Sequence, residues 1–137
     1  MTDHHELLSE GLRRFRDGAL DEAVACILPV LKQDPDNVDG LYLLAATRLR
    51  LGYIGDGIAL LQRVIALKPD FAEALTHLGT AFRTLKRNAE AADCFRRVLA
   101  LDPGNIEVTC NLAVLLLDMA AAGEAIDLLQ RVLALRP

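Results

Sequence analysis

The stretch Leu75-Thr-His-Leu78-Gly79-Thr-Ala-Phe82 places apolar or small residues at positions i, i+3, i+4 and i+7. This spacing follows the turn of an α-helix and brings the four residues onto one face. The segment 91–99 that follows places alanine, phenylalanine, valine and leucine at i, i+4, i+7 and i+8, again on one face of a helix. The two stretches therefore predict two consecutive helices joined by a short turn.

The segment that contains these two helices recurs four times along the chain. A proline ends each copy, and each lies 34 residues after the last: Pro35, Pro69, Pro103 and Pro137. Other columns keep the same register: Val30, Val64, Val98 and Val132; Gly11, Ala45, Gly79 and Ala113; Ala23, Gly57, Ala91 and Ala125. Self-similarity at a fixed period of this length is typical of helical repeat arrays.

Each copy is predicted to form two helices. The first helices begin near His4, Val38, Ala72 and Ile106 and run for about 13 residues, between three and four turns. The second helices begin near Asp21, Gly55, Ala89 and Gly123 and end just before the prolines, which push the preceding residue out of the α region. Asn88 is predicted to cap one of them, because its side chain can accept from an early helix N–H.

The small-residue columns predict close packing within each pair of helices. Gly79 lies on a first helix and Ala91 on a second helix, so we expect the two backbones to approach closely there. No pair can bury all its apolar surface alone. The four pairs are therefore expected to stack into a solenoid.

The composition excludes several classes of protein. Hydrophobic residues make up 53% of the 137 residues, too many for a disordered chain. The longest apolar run, Ala23–Leu31, is far shorter than the roughly 20 residues of a membrane span, so no membrane insertion is expected. A net charge of −4 and an aromatic fraction of 4% argue against binding to nucleic acid. The cysteines Cys26, Cys94 and Cys110 leave at least one thiol unpaired, which indicates a reducing, cytoplasmic location.

The chain offers little that indicates catalysis. His4 and His5 lie at the terminus and His77 stands alone on a predicted helix, without the spacing of a metal site. The glycine-rich segment 52–57 lacks the preceding strand and the spacing of a phosphate-binding loop. We therefore expect no enzymatic activity, no catalytic residues, no metal and no cofactor.

The pattern Leu-x-x-Leu-Gly-x-x-Phe of Leu75–Phe82, followed by Ala91, Phe95, Val98 and Asp102-Pro103, resembles the tetratricopeptide repeat. The resemblance covers a single domain, residues 1–137, with repeats at about 4–37, 38–71, 72–105 and 106–137. It implies an all-α fold, a right-handed α-solenoid of four antiparallel helix pairs. It also implies that the first helices line a concave groove, which holds an extended peptide or a partner helix.

The stripe expected to face this groove takes three residues from each first helix. Its members are Leu8, Leu12, Phe15, Tyr42, Ala46, Leu49, Thr76, Thr80, Arg83, Cys110, Val114 and Leu117. The stripe is apolar for a surface that faces water, and exposed apolar patches mark interaction sites. Relatives that grip a terminal carboxylate use lysine, asparagine and arginine at these columns, where this chain has Arg83 as its main cation. We expect a protein or peptide partner with a hydrophobic or amphipathic segment. Packing of some stripe residues against the adjoining first helix is the alternative.

The last helix is predicted to leave an apolar face uncovered. Its residues are Ile126, Leu128, Leu129 and Leu133. Solenoids normally end in a unit with a polar outer face, so the chain is expected to belong to a longer array or to form a homo-oligomer through this end. The leading function is a non-catalytic binding scaffold. The alternative is the repeat region of a larger enzyme, such as a transferase, that recruits a substrate or partner.

Overall fold

The computed structural model describes residues 3–135, so Pro137 of the proline column lies outside the described residues. The described residues form eight α-helices and no β-strand. The first helices are α1 (His4–Arg16), α3 (Val38–Arg50), α5 (Ala72–Thr84) and α7 (Ile106–Asp118). The second helices are α2 (Leu20–Gln33), α4 (Ile54–Leu67), α6 (Asn88–Leu101) and α8 (Ala122–Leu135). The all-α prediction is confirmed, and each first helix begins at the predicted residue.

Three first helices begin with a side-chain cap from the same repeat position. Asp3 accepts from the backbone N–H of His5, and the amide oxygen of Asn37 accepts from the N–H of Gly40 at 2.9 Å. Asn105 caps α7 in the same way. These bonds satisfy N–H groups that have no partner inside the helix. The same position ahead of α5 is occupied by Phe71, whose side chain has no acceptor.

The second helices begin one residue earlier than predicted, and the prediction that Asn88 caps α6 is wrong. Asn88 is the first residue of α6, and Arg87 precedes it without a side-chain cap. The reason lies in the turn after α5. Lys86 adopts a positive φ of 63°, and the N–H of Arg87 donates back to the carbonyl of Phe82 at 2.9 Å. This tight C-terminal turn returns the chain to helical geometry sooner than the sequence pattern indicates.

The chain divides into two compact units that meet in sequence between Phe71 and Ala72. In the first unit α1 packs on α2, α3 packs on α4, and α3 also contacts α1 and α2. Ile27, Leu43 and Leu44 form a buried cluster there. In the second unit α5 packs on α6, α7 packs on α8, and α7 also contacts α6.

The glycines of the small-residue columns make room for side chains. A Cβ atom at Gly57 would lie 2.5 Å from Cδ2 of Leu49, and one at Gly79 would lie 2.7 Å from the ring of Phe95. Both distances are shorter than real Cβ contacts. The missing side chains thus leave space for a large neighbour, and at Gly57 the backbone carbonyl of Ala45 also lies 3.5 Å from the Cβ position.

Candidate partner-binding site

A cleft of about 390 Å³ lies between α1 and α3 in the first unit. We call it the α1–α3 cleft. Its lining residues are His5, Leu8, Ser9, Leu12, Asp39, Tyr42, Leu43 and Phe71. Leu12 is 37% exposed, which is high for a leucine in a helix that packs on two others. The cleft thus presents apolar surface to solvent.

An aromatic pair forms one wall of the cleft. The rings of Tyr42 and Phe71 stack with their centroids 4.7 Å apart and an interplanar angle of 23°. The ammonium group of Lys68 lies 5.0 Å from the centroid of Phe71. Stacked aromatic rings offer a rigid apolar surface that loses little conformational entropy when a ligand packs on it.

The polar residues of the cleft favour a particular charge in a ligand. Asp39 and His5 are exposed at its rim, with Ser9. Among the described residues that line the cleft, Asp39 supplies the one carboxylate, and none is a lysine or arginine. The carboxylate of Asp39 therefore attracts a cationic group to the α1 and α3 side of the cleft, while the cation next to the aromatic wall is Lys68, over Phe71.

Of the six stripe residues predicted in the first unit, the structure brings three into this cleft. Leu8, Leu12 and Tyr42 line it, whereas Ala46 is half-buried on α3 and is not among the lining residues. The sequence missed His5, Ser9, Asp39, Leu43 and Phe71. One signal could have found Phe71: its repeat position otherwise holds capping residues.

Two predicted groove residues serve packing in the first unit. Phe15 packs against the buried cluster of Ile27, Leu43 and Leu44, and the guanidinium of Arg50 covers its ring at 4.8 Å. Leu49 reaches across to α4 and fills the space over Gly57. Helical spacing assigned Phe15 and Leu49 to the right helices, but neighbouring elements cover their side chains.

In the second unit the stripe residues lie on α5 and α7. Thr76 and Thr80 donate their hydroxyl hydrogens to the α5 carbonyls four residues earlier, at 3.0 Å each. Their polar groups are thereby engaged within the helix. Arg83 and Cys110 are half-buried, whereas Val114 and Leu117 are exposed on α7.

The predicted apolar face of the last helix is partly inward. Leu128 is only 6% exposed, because it lies on the side of α8 that packs on α7. It therefore does not belong to the exposed surface that the sequence predicted. Ile126, Leu129 and Leu133 are exposed. They form a stripe at i, i+3 and i+7 along α8.

A second cleft, of about 340 Å³, lies beside α8 and has an ion pair at its edge. Arg96 donates two hydrogen bonds to the carboxylate of Glu124, at 2.9 and 3.2 Å. This guanidinium lowers the pKa of Glu124, and the carboxylate raises the pKa of Arg96. Asp127 and Arg131 also line this cleft, so its two acidic and two basic side chains balance in sign.

Residues 3–135 contain no group of three or more histidine, cysteine, aspartate or glutamate side chains placed to hold a metal ion. In the same range, none of the helices combines the length and apolar character needed to cross a membrane.

Two family models of the tetratricopeptide repeat match the sequence, one over residues 47–106 and the other over residues 82–137. The chain belongs to the tetratricopeptide repeat family. The two matches overlap, and together they extend from α3 to the last helix of the tetratricopeptide repeat (TPR) array. No curated protein sequence matches the chain.

Solved TPR structures resemble the chain over most of its length. A crystal structure of MamA is 28% identical with a TM-score of 0.85, and the match covers 93% of this chain and 74% of MamA. MamA from Desulfovibrio magneticus RS-1, at 22% identity, matches with a TM-score of 0.88 over 97% of this chain and 75% of its own, which shows the shared fold.

A third similar structure contains a bound peptide. The first TPR of Spaghetti (RPAP3), bound to the HSP90 peptide SRMEEVD, is 27% identical with a TM-score of 0.81. The match covers 85% of this chain and 93% of that one. The TPR fold of the chain thus supports a role as a protein-interaction scaffold.

Proposed function

We propose that this chain is a non-catalytic scaffold that holds an apolar or amphipathic segment of a partner protein, with the α1–α3 cleft as its main contact. The observation that carries the proposal is the exposed apolar lining of the cleft beside the stacked rings of Tyr42 and Phe71. When a partner covers exposed apolar surface of this kind, its burial stabilises the complex. The predicted stripe on α5 and α7 remains a separate prediction for the second unit.

The carboxylate of Asp39 at the rim of the cleft distinguishes between acidic and basic partner segments. An acidic peptide such as the SRMEEVD bound by the RPAP3 relative would meet the carboxylate of Asp39. An amphipathic segment with lysine or arginine beside its leucines would place cations near Asp39 and its apolar face on Leu8 and Leu12. We therefore assign the second class of ligand to this cleft.

The tyrosines provide a direct test of binding. The chain has two tyrosines and no tryptophan. Tyr53 packs under Arg48, with 5.7 Å between the guanidinium carbon and the ring centroid, and it does not line the cleft. A Tyr53→Phe background keeps this ring and leaves Tyr42 as the single tyrosine fluorophore. Titration with a synthetic amphipathic leucine–lysine peptide should change its emission, and SRMEEVD should bind more weakly.

Leu12→Asp in that background tests the place of binding. It should weaken the leucine–lysine peptide by at least about tenfold, or roughly 1.4 kcal/mol, although the new carboxylate would strengthen any unspecific attraction of lysines. Leu28→Asp is the matched control, since Leu28 is 47% exposed on α2 and does not line the cleft. Undiminished binding by Leu12→Asp would contradict the assigned cleft, and tighter binding of SRMEEVD would contradict the assigned chemistry.

Leu49 is unsuitable for the same experiment. Because the half-buried side chain of Leu49 fills the space over Gly57, Leu49→Asp would bring a carboxylate against α4 and destabilise the first unit as well as change the surface. A loss of binding in that variant would say nothing about the partner.

We place the scaffold in the cytoplasm, where Cys26, Cys94 and Cys110 would stay reduced. All three are free, and Cys94 is buried. Recruitment of a substrate or partner for a larger enzyme, such as a transferase, would use the same surface, and the length of the parent chain would separate that function from a scaffold that acts alone.

A further inference from the structure

The α1–α3 cleft brings a carboxylate next to its aromatic wall. Asp39 and Tyr42 are three residues apart on α3, so their side chains leave the same face of the helix, and both line the cleft. Tyr42 stacks on Phe71, which lines the cleft as well. A carboxylate attracts a cation by its charge, and an aromatic face attracts one by its quadrupole. This part of the cleft is therefore suited to a cationic side chain.

A contact elsewhere in the chain shows how a guanidinium group uses such a combination. The guanidinium carbon of Arg87 lies 4.7 Å from the centroid of the Phe82 ring. The same group donates two hydrogen bonds to the carboxylate of Glu90, from Nε and Nη2, each at 2.7 Å. A single arginine in this protein thus packs on a ring and pairs with a carboxylate at the same time.

An arginine makes these two contacts together more readily than a lysine. The guanidinium group is planar and weakly hydrated, so its face stacks on a ring while the N–H groups at its edge donate in parallel to the two oxygens of a carboxylate. The ammonium group of lysine is a compact, strongly hydrated charge without a flat face. A site made of a ring and a carboxylate therefore discriminates between the two cations.

Lys68 determines where an incoming cation lies along the aromatic wall. Its ammonium group is 5.0 Å from the centroid of Phe71, so a positive charge already occupies that end of the wall. Because like charges repel each other, a cation from a partner is directed towards Tyr42 and Asp39. Leu8 then remains available to apolar side chains beside the cation.

We propose that the α1–α3 cleft selects an arginine of the partner segment over a lysine, with the guanidinium group stacked on Tyr42 and hydrogen-bonded to the carboxylate of Asp39. This inference rests on the proposed function, because it names the residue by which the segment is recognised. A leucine next to that arginine packs on Leu8 and Leu12. The volume of about 390 Å³ is near the lower end for ligand pockets, so the cleft receives one or two side chains of the segment and not a whole helix.

Three synthetic peptides test the selection. They share one leucine-rich amphipathic sequence and differ at a single position, which holds arginine, lysine or citrulline, the neutral analogue of arginine. Binding to the 137-residue chain is measured by the fluorescence anisotropy of a dye on the peptide. The arginine peptide should bind at least about threefold more tightly than either of the other two.

Two variants separate the ring from the carboxylate. Tyr42→Leu keeps an apolar side chain but removes the ring, so it should bind the arginine and lysine peptides equally. Asp39→Asn should lower the affinity of the arginine peptide to near that of the citrulline peptide. Asp56→Asn is the matched control, since Asp56 is also an exposed acid in the first turn of a helix and does not line the cleft. Circular dichroism should show unchanged helical content in each variant.

The possible failures point to different conclusions. Equal affinity of the parent chain for the arginine and lysine peptides would overturn the selection and leave the proposed function standing. No measurable binding of any of the three peptides would overturn the proposed function and the selection together. A preference for arginine that survives in Tyr42→Leu would overturn the stacking on Tyr42. Undiminished arginine binding by Asp39→Asn, or an equal loss in Asp56→Asn, would overturn the pairing with Asp39.

Discussion

The aromatic ring of Phe95 on α6 lies directly against the backbone of Gly79 on α5, so that a Cβ atom at position 79 would come within 2.7 Å of the ring carbon Cε1. Phe95 is fully buried. The pair therefore sets the packing of these two helices. It also explains why this repeat has glycine at that position in a helix, where alanine is otherwise the better helix former.

Gly79→Ala should destabilise the protein. Overpacking against a fixed ring costs about 1–3 kcal/mol, which outweighs the roughly 1 kcal/mol that alanine gains over glycine in a helix. Urea denaturation followed by circular dichroism measures the difference in the free energy of unfolding.

Gly55→Ala is the matched control for this change. Gly55 lies in α4, and a Cβ atom there would meet nothing within 4 Å, so this variant should be at least as stable as the parent. Combining Gly79→Ala with Phe95→Leu should recover part of the loss, since the two sites are in contact. A Gly79→Ala protein more stable than the parent would contradict the assigned packing.

Phe71→Asn should separate binding from stability. Asparagine restores a cap for α5, a contribution of about 1 kcal/mol, while loss of the stack on Tyr42 costs about 0.5–1.5 kcal/mol. We expect stability to change by less than about 1 kcal/mol and binding of the leucine–lysine peptide to fall. Phe71→Ala loses the stack without gaining a cap, so it should be less stable than Phe71→Asn; equal stability of the two would argue against a missing cap.

Pro29→Ala should stabilise the protein. Pro29 lies inside α2 with its ring exposed, so alanine restores a helix hydrogen bond without leaving a cavity. The gain should reach up to about 3 kcal/mol, seen as a higher urea midpoint with an unchanged slope. Pro35→Ala, in the loop after α2, should show no comparable gain. An equal gain in both variants would contradict the assignment of the gain to the interior of α2.

Cys94 should be the slowest of the three cysteines to react. Burial raises the pKa of its thiol to about 11, so near pH 8 only about one molecule in a thousand carries the reactive thiolate. Cys26 and Cys110 are half-buried. Titration with a disulfide reagent should therefore count two thiols in the native protein and the third only in urea. Three thiols of equal rate would contradict the burial of Cys94.

The sequence predicted the helices well because their signals are local. Columns of apolar residues mark the first helices, and the structure begins these helices at the predicted residues. The second helices begin one residue earlier than predicted; for α6 this start depends on the positive φ of Lys86, a backbone dihedral that the pattern does not specify.

The candidate site was less predictable because it depends on what neighbouring helices leave open. Periodicity placed Leu12 and Leu49 on equivalent faces of α1 and α3, yet one is exposed at a cleft and the other covers Gly57. Phe71 belongs to a loop, which has no periodicity. Its position becomes informative only when it is compared with Asn37 and Asn105.

The ion pairs around Glu10 have a consequence for building larger arrays from this chain. Arg13 and Arg14 hold the pKa of Glu10 below its ordinary value and keep that face of α1 charged. A repeat grafted ahead of α1 would have to dehydrate this network, whereas one grafted behind α8 would meet Ile126, Leu129 and Leu133. Engineered extension should therefore succeed in one direction along the array and fail in the other.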